Sequence, residues 1–190
     1  MNSKLRKLTE SGILLAMAVV LSMITIYKLP NGGSVTAASM VPVILIAYRY
    51  GTGWGLFSAF VYSLLQMLLG FYAPPVQDFA SFVLVILLDY VIAFGCLGLA
   101  SAIAKPFGGP TKPFAIAIST GVVALIRMAC HIVSGILIWG VYAPEGMPVW
   151  LYSVQYNGSY MLVELVLSAV VGVILARYID FTTFKPIKRG

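Results

Sequence analysis

Six apolar runs, divided by short stretches of proline, glycine and basic residues, leave this chain few ways to fold. They cover about residues 8–26, 37–50, 53–69, 79–104, 113–141 and 156–177. The dividers include Lys28-Leu-Pro-Asn-Gly-Gly33, Tyr72-Ala-Pro-Pro75 and Lys105-Pro-Phe-Gly-Gly-Pro110, all strong turn formers. Of the 190 residues, 61% are hydrophobic and 9% charged. A water-soluble domain carries roughly a quarter charged residues, so the runs are read as membrane spans. In hydrocarbon every backbone N–H and C=O must be satisfied within the chain, which a helix does locally. The expectation is an all-α integral membrane bundle of six transmembrane helices, forming a single domain over residues 1–190. Pro42, near the start of the short second run, suits a broken or tilted entry.

The net charge of +6 does not point to nucleic acid, because the basic residues sit in small clusters beside apolar runs. With both termini on one side, that side holds Lys4, Arg6, Lys7, Arg49, Lys105, Lys112, Arg177, Lys185, Lys188 and Arg189. The opposite side holds Lys28 alone, and Arg127 falls inside the fifth run. Lysine and arginine collect on the cytoplasmic face, so both termini are expected there. No A-x-A site follows the basic N-terminus, so the first run is expected to remain as an uncleaved span. Cys96 and Cys130 lie within apolar runs and read as small packing residues.

Ionisable residues at membrane depth are costly and mark buried networks or sites. In the fifth run Arg127, His131, Gly135 and Trp139 recur at intervals of four, along one broad side of a helix. At about 1.5 Å per residue, Asp89, His131 and Glu164 each lie roughly 15 Å below the outer ends of their spans, with Arg127 about a turn deeper. Arg127 and Glu164 read most economically as a structural ion pair. Asp89 then has no dedicated cation and would suit a bound organic one, with Tyr90 and Trp139 offering aromatic faces. Two readings of His131 and Gly135 stay open: a satisfied bundle histidine beside a close helix crossing, or a ligand contact beside a gap for a flat ring. Tyr152 in Tyr152-Ser-Val-Gln-Tyr156-Asn157-Gly158 is either part of an aromatic belt or a ligand contact. Asn157 offers donors and acceptors to a heterocycle. Gly12 and Ala16 form a small-xxx-small pair suited to an internal helix contact or a partner surface. There is no P-loop, H-E-x-x-H or G-x-S-x-G, so an enzyme is not expected, and no metal or cofactor motif occurs.

Together these residues resemble the thiamine-specific substrate-binding subunits (S-components) of energy-coupling factor vitamin transporters. The likeness runs through nearly the whole chain. It rests on GGSVTAASMVPVILIAYRYG, on Asp89-Tyr90 followed by VIAFGCLGLA, on His131 with Trp139, and on Tyr152 with Asn157. It implies an outward-facing thiamine pocket in a multi-pass protein of the bacterial cytoplasmic membrane. Asp89 would meet the cationic or amino-bearing part of the ligand, Trp139 and Tyr90 its rings. His131, Tyr152 and Asn157 would supply hydrogen bonds, and Gly135 the space. Gly12 and Ala16 would dock onto a partner transmembrane subunit, with separate ATPase subunits supplying energy. Thiamine is then the transported ligand, and no cofactor is implied. The chain departs from the family in having aspartate rather than glutamate at Asp89, and in lacking a tryptophan over residues 27–36, where Tyr27 or another aromatic would stand in. Rival readings are an S-component for another vitamin, a self-sufficient proton-coupled transporter using Asp89, His131 and Glu164 as a relay, and, more distantly, a membrane enzyme.

Overall fold

The computed structural model describes residues 2–187; Lys188 and Arg189, counted above among the basic residues, lie outside them. Helix α1 spans Ser3–Met23 and is capped by the Asn2 side chain, which accepts from the Lys4 amide at 3.1 Å. It is followed by α2 (Met40–Tyr50), α3 (Thr52–Gly70), α4 (Phe79–Phe107), α5 (Pro113–Leu137) and α6 (Val149–Leu175). Four of these, α3 to α6, are long and apolar enough to cross a membrane. α2 has only 11 residues, and α1 carries Lys4, Arg6, Lys7 and Glu10 in its first turns.

The described chain is not wholly helical. Strands β1 (Thr25–Lys28) and β2 (Ser34–Thr36) form an antiparallel hairpin between α1 and α2. Asn31 and Gly32, with φ of 63° and 100°, reverse the chain, and the flanking β-branched and aromatic residues suit strands. A second small hairpin, β3 (Ile179–Asp180) with β4 (Lys185–Pro186), follows α6. Two span boundaries also differ from the sequence reading. α5 ends at Leu137 rather than near residue 141, because the chain turns at Gly140 against α6. A Cβ there would come within 2.7 Å of Val149. α6 begins at Val149, directly after Pro148, rather than near Tyr156, so Tyr152 is helical.

Small residues let the helices close up, as packing without a hydrophobic driving force requires. A Cβ on Gly98 of α4 would lie 2.3 Å from the Leu56 amide nitrogen of α3. One on Gly55 would lie 2.6 Å from the Ala47 Cβ of α2. Buried hydroxyls are satisfied nearby: Tyr48 reaches the Ser119 hydroxyl at 2.6 Å, and Ser119 donates to the Ala115 carbonyl at 2.6 Å. Large apolar side chains such as Phe79, Leu68, Phe114 and Val166 remain exposed, as a lipid-facing surface would have them.

One end of the bundle is tied by charge. Glu10 of α1 accepts from Arg6 at 2.7 Å, from Arg49 at 3.2 Å and from the Tyr50 hydroxyl. Lys7 stands 4.0 Å from the Trp54 ring centroid, and Arg49 also donates to the Thr182 carbonyl. This knot joins α1, α2, α3 and the C-terminal hairpin. At the other end, the β1–β2 hairpin, residues 71–78 and residues 138–148 surround a cavity. Asp78 caps α4 there, and its bonds from the Ser81 hydroxyl and amide hold its carboxyl below the usual carboxylate range.

Candidate binding site

α4 is not a uniform helix. Residues Ile86–Val91 form a π-helical turn, a feature that recurs at functional sites. Asp89 and Tyr90 lie in it, and both line a cavity of about 350 Å³ between the hairpin and helices α3 to α6. That is near the lower end of the ~300–1,000 Å³ typical of small-molecule sites.

The Asp89 carboxylate is held from three directions. His131 Nδ1 lies 3.0 Å from Oδ1. The Ser134 hydroxyl donates to Oδ2 at 2.7 Å, and Trp139 Nε1 donates to it at 3.1 Å. The acid and imidazole side chains are only 16% and 13% exposed, so water screens their interaction weakly. In a neutral imidazole with Nδ1–H turned to the carboxylate, His131 Nε2 is left as an acceptor. It is buried and has no partner. No lysine or arginine of the described residues lies within 4.0 Å of Asp89.

The expected ion pair between Arg127 and Glu164 is corrected. The two line the same cavity but lie more than 4.0 Å apart. Glu164, 2% exposed, is already engaged by β2: Thr36 donates its amide at 2.8 Å to one oxygen and its hydroxyl at 2.7 Å to the other. The Thr36 hydroxyl also meets Ser39 at 2.8 Å. Arg127 instead stands over the Phe94 ring, 4.3 Å from its centroid, and its Nε is buried without a partner. A guanidinium over an aromatic face gains a cation–π attraction in place of the pair.

All seven residues expected at the ligand line this one cavity, yet three serve the scaffold. The Tyr90 hydroxyl accepts from the Tyr72 amide at 3.0 Å and donates to the Gly70 carbonyl at 2.9 Å, bracing the chain after α3. Gly135 lets α6 approach closely while lining the cavity, since a Cβ there would come within 2.1 Å of the Ser153 hydroxyl oxygen. Asn157 donates to the His131 carbonyl at 3.2 Å and to the Ser153 carbonyl at 3.0 Å, while its own carbonyl accepts from Tyr160 at 3.0 Å. His131, Trp139 and Tyr152 remain available to a ligand. Trp139 lies beyond the end of α5 and stacks on Tyr142, with centroids 6.3 Å apart and planes 19° off parallel.

Several residues in or behind the cavity wall escaped the sequence reading. Ser134 is one turn from His131 on the same helix face, a spacing that could have marked it. Tyr156 accepts from the Gly33 amide at 3.0 Å and donates to the Pro30 carbonyl, seating the hairpin on α6. Gly33 allows this approach, because a Cβ would lie 2.8 Å from the Tyr160 ring. Tyr27 is 59% exposed and away from the cavity. Tyr72 also packs against the hairpin, its ring 3.1 Å from where a Gly32 Cβ would stand. No local signal marks Thr36 or Tyr72, whose partners are distant in sequence.

A carboxylate with no lysine or arginine partner, an unpartnered imidazole nitrogen and an aromatic wall suit a flat organic cation. The sequence profile of the family described as thiamine transporter protein (Thia_YuaJ) matches residues 8–183. The chain belongs to this family. It is a family of transporters, not of enzymes. Among relatives, the thiamine transporter ThiT of Bacillus subtilis (strain 168) is 35% identical over 181 residues, covering 90% of each chain. The protein of the same name from Lacticaseibacillus paracasei is 30% identical over 183 residues, covering 87% of this chain and 85% of its own. In three dimensions, the solved structure of ThiT from Listeria monocytogenes superposes with a TM-score of 0.74 at 26% identity. It covers 92% of this chain and 95% of that one.

Proposed function

We propose that this chain is a single-domain membrane S-component that captures thiamine from outside the cell and passes it on with the help of partner subunits. The observation that carries this reading is Asp89, a carboxylate in a shielded cavity held by an imidazole, a hydroxyl and an indole but by no lysine or arginine. Thiamine joins a permanently charged thiazolium to an aminopyrimidine. In the proposed complex Asp89 meets the cationic or amino-bearing part, His131 Nε2 accepts from an N–H or O–H donor, and Trp139 and Tyr152 contact the rings.

Six spans, with α1 and α2 added to the four long apolar helices, and both termini in the cytoplasm complete the proposal. Support comes from the basic knot around Arg6, Lys7 and Arg49, at the end of the bundle away from the cavity. The cavity then opens outward, in the bacterial cytoplasmic membrane. Gly12 and Ala16 are exposed on α1, and a Cβ on Gly12 would meet nothing within 4 Å. That face is assigned to docking on an energy-coupling transmembrane subunit, with ATPase subunits as further partners. A proton relay is less well supported, since Glu164 bonds to Thr36 and to neither Asp89 nor His131.

Titration calorimetry of the purified protein against a panel of vitamins tests the proposal. Saturable, one-to-one binding of thiamine in preference to the others is expected. Selective binding of a different vitamin would overturn the thiamine assignment. Proton-driven uptake by the chain alone in liposomes would overturn the dependence on partners.

A further inference from the structure

Asp89 is gripped by two residues from one helix, and only one of them lines the cavity. His131 and Ser134 are a turn apart on α5; one meets Oδ1 at 3.0 Å and the other donates to Oδ2 at 2.7 Å. Ser134 is fully buried and stands behind the cavity wall. Its hydroxyl oxygen also accepts from Trp139 Nε1 at 3.2 Å, while that same N–H reaches Asp89 Oδ2 at 3.1 Å. Carboxylate, hydroxyl and indole therefore form a closed triangle. From this geometry we infer that Ser134 is a positioning residue for thiamine recognition, fixing the Asp89 carboxylate and the Trp139 ring in the arrangement that receives the ligand.

The physical basis is preorganisation. A carboxylate turns freely about its last bond unless both oxygens are held, and a cation that must first order it loses part of the interaction. His131 alone would leave Oδ2 to Trp139, which lies beyond the end of α5 and lacks helical restraint. Ser134 supplies the second fixed donor from within the helix. It also gives the indole N–H a second acceptor, so the charge and the ring are set together. The hydroxyl makes no contact with the ligand in this scheme.

The inference rests on the thiamine reading, and a double-mutant cycle separates the two. Affinity for thiamine is measured by calorimetry for the wild type, Ser134→Ala, Asp89→Ala and the double variant, with thermal unfolding of each as a control. Ser134→Ala in the wild-type background is expected to weaken binding roughly tenfold, the loss of a hydrogen bond to a charged group. In the Asp89→Ala background the same change is expected to cost less than about twofold, because coupled residues are not additive. Ser134→Thr, which keeps the hydroxyl, is expected to retain more affinity than Ser134→Ala. Equal losses in both backgrounds would overturn the positioning role and leave a structural one. Unchanged affinity in Ser134→Ala would overturn it outright. A wild type that does not bind thiamine would overturn the functional reading, and this inference with it.

Discussion

Replacing Asp89 by asparagine removes a charge while keeping the shape, and the structure specifies how the new amide must sit. Ser134 and Trp139 both donate toward one oxygen of Asp89, so the asparagine carbonyl must face them and its NH₂ must face His131. The imidazole can accept that NH₂ only by moving its proton from Nδ1 to Nε2. The substitution thus has two effects: it deletes the carboxylate and turns the unpartnered His131 Nε2 from acceptor to donor. The scaffold bonds survive, so the unfolding midpoint in detergent should change little. The ligand loses a charged hydrogen-bond partner, worth about 1.5–3 kcal/mol, so thiamine affinity should fall about ten- to 150-fold. Calorimetry on the purified variant reads the affinity, and a thermal scan confirms that it is folded. A folded Asp89→Asn protein that binds thiamine as tightly as the wild type would refute this account of the carboxylate.

Three further outcomes are expected. Thr36→Val deletes the hydroxyl that donates to the buried Glu164 at 2.7 Å, and should cost about 1.5–3 kcal/mol of stability; an unchanged unfolding midpoint would show that the hairpin is not secured there. Gly98→Ala places a Cβ 2.3 Å from the Leu56 nitrogen and should destabilise the bundle by about 1–3 kcal/mol, read in the same thermal scan, with wild-type stability contradicting the close crossing of α3 and α4. Gly12→Trp or Ala16→Trp should leave thiamine binding near normal but abolish uptake in cells, because both residues are exposed on α1 away from the cavity; normal uptake by both would remove the docking surface.

The long helices were legible because lipid leaves an apolar chain little alternative to local hydrogen bonding. Depth counted along each run also brought Asp89, Arg127, His131 and Glu164 to one cavity, since helical rise is nearly constant. Depth does not fix rotation about a helix axis or the reach of a loop. Depth alone therefore pairs Glu164 with Arg127, whereas Thr36 from the hairpin takes both of its oxygens. Gly135 shows the same limit. A missing side chain leaves a gap in sequence, but whether a ring or the Ser153 hydroxyl fills it depends on how closely α6 approaches. The i, i+4 ladder placed Trp139 on the helix with His131. The chain leaves helical geometry after Leu137, and the indole reaches Asp89 from the following turn. The π-turn around Asp89 has no sequence mark, because one widened turn scarcely disturbs an apolar run.

The central claim is that Asp89, a carboxylate without a lysine or arginine partner, recognises the charge of the ligand. Its most direct test compares thiamine with an uncharged isostere in which a thiophene replaces the thiazolium, both titrated into the wild-type protein. The two have nearly the same shape and keep the same aminopyrimidine, so the affinity ratio isolates the cation. The account predicts that thiamine binds at least about tenfold more tightly, in line with a charge-assisted contact of at least about 1.5 kcal/mol. Equal affinities would contradict it: the cavity would then recognise the pyrimidine and the shape, and the positive charge would contribute nothing.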